Sequence, residues 1–128
     1  MNGTKHIHVL AALSLSVFLT SCFPLGGEDR IKISDGYFLE KAESGKCYLR
    51  KARDKSLGGV FDGVVLEVGW SSEMVLGNVS RLYRGDPDGW YRLEIRSGKV
   101  TGPISKNSLQ ADSKLSKIRT RRVEDLKF

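Results

Sequence analysis

Short runs in which apolar and polar residues alternate dominate the chain between residues 36 and 104. Successive side chains of a strand point to opposite faces, so such runs predict strands with one buried and one wet face. In VVLEVGW (64–70), Val64, Leu66, Val68 and Trp70 are expected on one face, and Val65, Glu67 and Gly69 on the other. In WYRLEIRS (90–97), Tyr91, Leu93 and Ile95 face one way, and Trp90, Arg92, Glu94 and Arg96 the other. The SGK at 97–99 permits a tight reversal into VTGPI (100–104), where Val100 and Ile104 share a face. Pro103 has no N–H to give a ladder and marks an edge or a strand end. Earlier strands are expected in GYFLEKA (36–42), KCYLRKA (46–52) and MVLGNVSRLY (74–83). Between them recur the turn signals ESGK (43–46), SLGG (56–59), FDG (61–63) and GDPDG (85–89). Turns at such spacing argue for antiparallel β structure.

After Pro103 the pattern changes. Ser105 suits an N-cap for a helix through KNSLQADSKLSKI (106–118), with Leu109, Leu115 and Ile118 as its sparse apolar stripe. RTRRVEDLKF (119–128) suits either more helix or a strand crossing the sheet. The predicted fold is therefore mainly β (α+β): a twisted antiparallel sheet of five or six strands, with a C-terminal helix on one face.

The first residues obey a different rule. VLAALSLSVFL (9–19) is apolar except for two serines, follows the single cation Lys5, and ends in small residues. A cationic start, about 7–15 apolar residues and a small-residue end form the pattern of a secretory signal peptide. A membrane-spanning helix needs about 20 apolar residues, more than this run supplies. Leu19, Thr20, Ser21 and Cys22 resemble the lipobox of bacterial lipoproteins, with an apolar residue, two small ones and cysteine closing the apolar run. Threonine is a less common second residue there than alanine or serine. The resemblance implies cleavage before Cys22, followed by acylation of its sulfur and of the new N-terminus. Phe23 stands where inner-membrane lipoproteins of many Gram-negative bacteria carry aspartate, which implies the outer membrane. A single myristoyl-sized chain binds a bilayer marginally, whereas several chains make a lasting anchor. The expected organisation is a signal peptide at 1–21, a lipidated Cys22 with a flexible tether at 22–33, and one small β-rich domain with a C-terminal helix at 34–128. Gly26 and Gly27 would give the tether its freedom, and Glu28, Asp29 and Arg30 would keep it solvated.

Composition then narrows the chemistry. The segment from Cys22 onward has 107 residues, the size of one small domain. Both histidines, His6 and His8, precede Cys22, so Ser–His or Cys–His catalysis and an imidazole-ligated zinc site are not expected. With Cys22 acylated, Cys47 has no intrachain partner; beside Leu49 on one strand face it reads as a small buried hydrophobe. Lysine and arginine number 13 against 12 acidic residues over 23–105, but 7 against 3 over 106–128. The cationic excess thus sits almost wholly in the tail. It suits a solvated basic face, an anionic lipid surface or an acidic protein. An exported chain seldom meets nucleic acid, and none is expected as a partner.

Three polar groupings invite a role. Asp86 and Asp88 in RGDPDGWY (84–91) read either as turn chemistry around Pro87 and Gly89 or as calcium ligands, without the glutamate of an EF-hand loop. The Arg-Gly-Asp triplet at 84–86 is too short to carry weight. Glu67, Glu73, Asp86 and Glu94 could pair for glycoside cleavage only if two carboxyls faced each other about 5–10 Å apart across a cleft, and nothing in their spacing implies one. Trp70, Trp90, Tyr83 and Tyr91 are the better functional clue, and Trp90 with Arg92 forms the candidate partner-binding pair. Alternation turns both outward, and exposed Trp with Arg is typical of protein-binding surfaces. The competing reading packs Trp90 beneath the C-terminal helix. WYRLEIRSGKVTGPIS (90–105) also resembles the strand–turn–strand ending of several families of small bacterial lipoproteins of unknown function. Trp90, Ile95, Gly98, Val100, Gly102 and Pro103 carry that likeness, which implies a β-rich fold and no established activity.

The expected function is a membrane-anchored, non-enzymatic envelope lipoprotein, needing no cofactor or metal, that binds another envelope protein as an inhibitor or immunity-type module. The alternative is a structural or accessory lipoprotein contacting lipid, peptidoglycan or an assembly.

Overall fold

The computed structural model describes residues 29–81 and 87–128. The chain is mainly β, with one short helix. Strands β1 (Asp29–Ser34), β2 (Tyr37–Lys41) and β3 (Cys47–Lys51) form one antiparallel sheet in that order. Strands β4 (Gly63–Trp70), β5 (Met74–Arg81), β6 (Gly89–Glu94), β7 (Val100–Ile104) and β8 (Arg121–Arg122) form a second, ordered β7-β6-β5-β4-β8. Helix α1 (Lys106–Ala111) lies between β7 and β8, and a 3-10 turn (Val123–Asp125) follows β8. Among the described residues no helix is long and apolar enough to cross a membrane. The lipobox Leu19, Thr20, Ser21 and Cys22 lies outside the described residues.

The single expected sheet is thus two. The reason is that β2 and β3 each carry a complete apolar face that needs a cover. Leu39, Cys47 and Leu49 from the small sheet meet Val65, Val68, Val75, Val79, Tyr91 and Leu93 from the large one. Phe61, from the link between β3 and β4, fills the space between them. Its ring reaches the backbone of β5 because residue 77 is glycine: a Cβ there would sit 2.9 Å from Phe61 Cε2. The opposite face of the large sheet carries a smaller core, in which Met74 and Leu76 meet Leu109 and Leu115. β5 is therefore covered on both faces, which explains its nearly unbroken apolar run.

Asp29–Ser34, expected as the end of a flexible tether, is strand β1, so the ordered domain begins five residues before residue 34. Asp29 pairs with Lys41 and Ile31 with Leu39, while Asp35 and Gly36 turn the chain, Gly36 at a φ of 87°. Ile31 and Ile33 alternate with charged residues just before that Asp-Gly turn, a hairpin signal that solvated charges at 28–30 masked.

Two irregularities overturn expected faces. Between Val65 and Glu67 the register with β5 shifts by one residue, with Leu66 as the extra one. A bulge of this kind moves later side chains to the opposite face. Val65 and Val68 consequently share the main core, while Leu66 is exposed at 47%. A second shift lies between Trp90 and Arg92 on β6, opposite Thr101 to Ile104 on β7. It places Val100 opposite core-facing Leu93 and Ile104 opposite Trp90, so those two do not share a face. β7 is an edge strand, where Pro103 costs no ladder bond.

The C-terminal helix is shorter than the expected 106–118. Ser105 caps it as the sequence suggests, accepting from the Ser108 backbone N–H at 3.1 Å. It stops at Ala111 because Asp112 redirects the chain, its carboxylate accepting from the N–H groups of Lys114 and Leu115 at 2.8 and 3.0 Å. That turn delivers Leu115 to the smaller core. The last ten residues begin as a strand, not as helix: Arg121 and Arg122 pair with Val68 and Glu67.

Candidate functional site

Trp90 and Arg92, the pair picked out by alternation, do stand on the outward face of β6. That face is covered. Trp90 is half-buried against the smaller core, lining a hollow of about 280 Å³ with Leu76, Leu109 and Leu115. Arg92 lies in a groove with Glu73, Glu94, Asp112 and Lys114. The backbone N–H groups of Leu115 and Lys114 hold the Asp112 carboxyl below its ordinary range, and the positive charges of Arg92 and Lys114 add to the effect. Both residues of the predicted pair therefore help fasten α1 and its following turn to the sheet.

The other tryptophan has the open position. Trp70 ends β4 and stays 37% exposed. Val68 precedes it on the same face and is fully buried, so Trp70 lies where the main core gives out. Two hollows flank its indole. The larger, about 470 Å³, is bounded by Ser71, Glu73, Lys114, Lys117 and Arg119. The other, about 260 Å³, is bounded by Val68, Arg119, Arg121 and Leu126.

Gly69 is what brings the basic segment here. A Cβ at this position would lie 2.4 Å from the Arg119 carbonyl oxygen and 2.9 Å from Ile118 Cγ2. Without a side chain, β4 lets residues 118–119 cross in backbone contact. Ile118 then packs on the smaller core while Arg119 borders both hollows. The cationic excess of the tail becomes a folded rim around an aromatic floor. Lys114 is paired with Glu73 at 3.6 Å, and Arg122 with Glu124. No carboxylate among the described residues is paired with Lys117, Arg119 or Arg121. Trp70 is among the four aromatic residues the sequence offers as a functional clue, but alternation singled out Trp90, because the face of Trp70 reads as continuous with Val64, Leu66 and Val68. The one available signal was the adjacent glycine, which marks close backbone approach in a strand.

The remaining candidates fall elsewhere. Asp86 and the Arg-Gly-Asp triplet lie outside the described residues. Asp88 accepts from the Arg81 backbone N–H at 2.8 Å, tying the end of β5 to the chain before β6. Among the described residues no three histidine, cysteine or acidic side chains gather closely enough to hold a metal ion. Glu73 and Glu94 do share the groove of Arg92, but Glu73 is well solvated and paired with Lys114. Glu67 lies apart on β4, opposite Arg122. Cys47 is 2% exposed on the inner face of β3, as its pairing with Leu49 on that face suggests. Burial pushes its thiol up, against a smaller opposing pull from Lys41, so the reactive thiolate is disfavoured.

A polar cluster that no local pattern announces lies on the outer face of the small sheet. Glu40 is buried between Arg30 at 3.4 Å and Arg50 at 3.1 Å. The two guanidinium groups stack over Phe38 and Tyr48 at 4.5 and 5.4 Å. Cross-strand register creates this arrangement, since Glu40 stands opposite both Arg30 and Tyr48. It clamps three strands together.

No family model, curated protein or solved structure matches this chain, so its physical chemistry alone carries the functional reading.

Proposed function

We propose that this chain is a bacterial envelope lipoprotein, held to a membrane through acylated Cys22, whose β domain works by capturing another envelope protein and not by catalysis. The outer membrane is the proposed site, by the resemblance around Cys22 and Phe23. An inhibitor or immunity-type role fits a tethered domain that acts by contact. The observation that carries the reading is Trp70, exposed at 37% between two hollows and rimmed by Lys117, Arg119 and Arg121. Tryptophan and arginine are over-represented among the residues that dominate the energetics of protein interfaces, tryptophan through a large rigid apolar area and arginine through a planar guanidinium that makes several directed hydrogen bonds. A part-exposed indole between two concavities can seat partner side chains, and the charges around it set orientation.

Two measurements test the two halves of the proposal. Cells expressing the wild-type chain should incorporate labelled fatty acid into it, and Cys22→Ser should abolish the label and leave uncleaved precursor. Unchanged labelling would exclude the anchor. For capture, the wild-type protein should retain a defined envelope protein on purification, and Trp70→Ala should lose it with its thermal stability intact. Trp90→Ala should instead lower the melting temperature. A Trp70→Ala protein that retains the same partner would exclude this surface.

A further inference from the structure

Building on the capture reading, we propose that the segment received beside Trp70 is acidic, a stretch of partner polypeptide with carboxylates flanking one apolar side chain. Charge carries the first part. The rim brings Lys117, Arg119 and Arg121 around one indole, and no carboxylate among the described residues is paired with any of them. Two neighbouring acids are already engaged, Glu73 by Lys114 and Glu124 by Arg122. Like charges gathered without counter-charges repel one another, and an incoming carboxylate relieves that repulsion as it binds. Guanidinium groups also match carboxylate geometry bidentately, which a diffuse solvated face does not exploit.

Shape carries the second part. Trp70 stands between hollows of about 470 and 260 Å³, each large enough for an apolar side chain. Leu126 and Val68 line the smaller hollow and give it an apolar floor. A lipid headgroup surface offers negative charge but no side chain to enter a concavity. An acidic polypeptide segment satisfies both the rim and the hollows.

The test uses the full-length chain, purified in a non-ionic detergent, with Trp90→Phe so that the fluorescence reports Trp70 alone. The probe is a short peptide of aspartate and glutamate around one leucine, compared with the same peptide bearing amides in place of all carboxylates. The acidic peptide is expected to bind about tenfold more tightly than its amide counterpart, and the preference should shrink as salt rises. The exposed-rim variant K117A/R119A/R121A should lose that preference while melting at the wild-type temperature. Equal binding of both peptides, or an unchanged preference in the triple variant, overturns the proposal. A third arm places the chain in vesicles of phosphatidylcholine or of phosphatidylglycerol. Trp70 should be quenched equally by acrylamide in both, and shielding by phosphatidylglycerol alone overturns the proposal in favour of a lipid surface. Loss of the peptide preference with partner capture intact removes only the acidic assignment; loss of both removes the capture reading as well.

Discussion

At Gly69 the smallest side chain decides what the largest one nearby can do. The Arg119 carbonyl occupies the space a Cβ would need. Gly69→Ala should therefore push residues 118–119 away from β4. Overpacking of this kind costs about 1–3 kcal/mol, measurable as a lower midpoint in urea unfolding. The same displacement should open the rim, so the emission of Trp70 should shift to longer wavelength. An unchanged midpoint and spectrum would show that the crossing does not depend on this contact. Glu40 illustrates the opposite economy. It is a buried carboxyl, yet two guanidinium groups meet it, so its desolvation is offset locally. Cys47 needs no such help, because a neutral thiol is at home against Leu49.

Elements succeed here by recruiting cover from elsewhere in the chain. The large sheet would leave Met74, Leu76 and Trp90 wet without the segment from 105 to 118. That segment is too short and too polar to be a stable helix alone. Two side-chain caps hold it instead: Ser105 at its start and Asp112 at the next turn. Asp112 makes the arrangement pH-sensitive. Its folded pKa lies below the unfolded value, so its stabilisation is complete above the unfolded pKa and is lost as pH falls through the folded one. Stability should therefore decline below about pH 4. In Asp112→Asn, which keeps an acceptor oxygen but does not titrate, that part of the acid slope should vanish. Thermal melts of both proteins from neutral pH downward would show it, and identical slopes would refute it.

For the whole molecule, the proposed anchor sets a geometry. Only residues 23–28 separate Cys22 from the first residue of β1. A fully extended chain covers at most about 3.6 Å per residue, so Asp29 can lie no more than about 25 Å from an acylated sulfur. A long stalk is thereby excluded under this reading, and the domain must work close to the bilayer. Neutron reflectometry on the chain in a supported bilayer should find the protein layer starting within that distance. A protein-free gap wider than it would contradict anchorage at Cys22.

Much of this was written locally. Short apolar-rich runs between turn signals specify β2 through β7, Pro103 identifies an edge, Ser105 identifies a cap, and the alternation of Tyr91, Leu93 and Ile95 identifies the core side of β6. These follow from interactions between residues near each other in sequence, where pattern and backbone period are enough. The bulge at Leu66, the division into two sheets, the shortening of α1 and the exchange of roles between Trp90 and Trp70 do not follow from any local pattern. Each depends on which distant surface arrives to cover a given face. Alternation tells that Trp90 and Trp70 lie on faces of strands. Only the tertiary structure decides that Leu109 and Leu115 close over one of them, while Gly69 admits a basic crossing that leaves the other open.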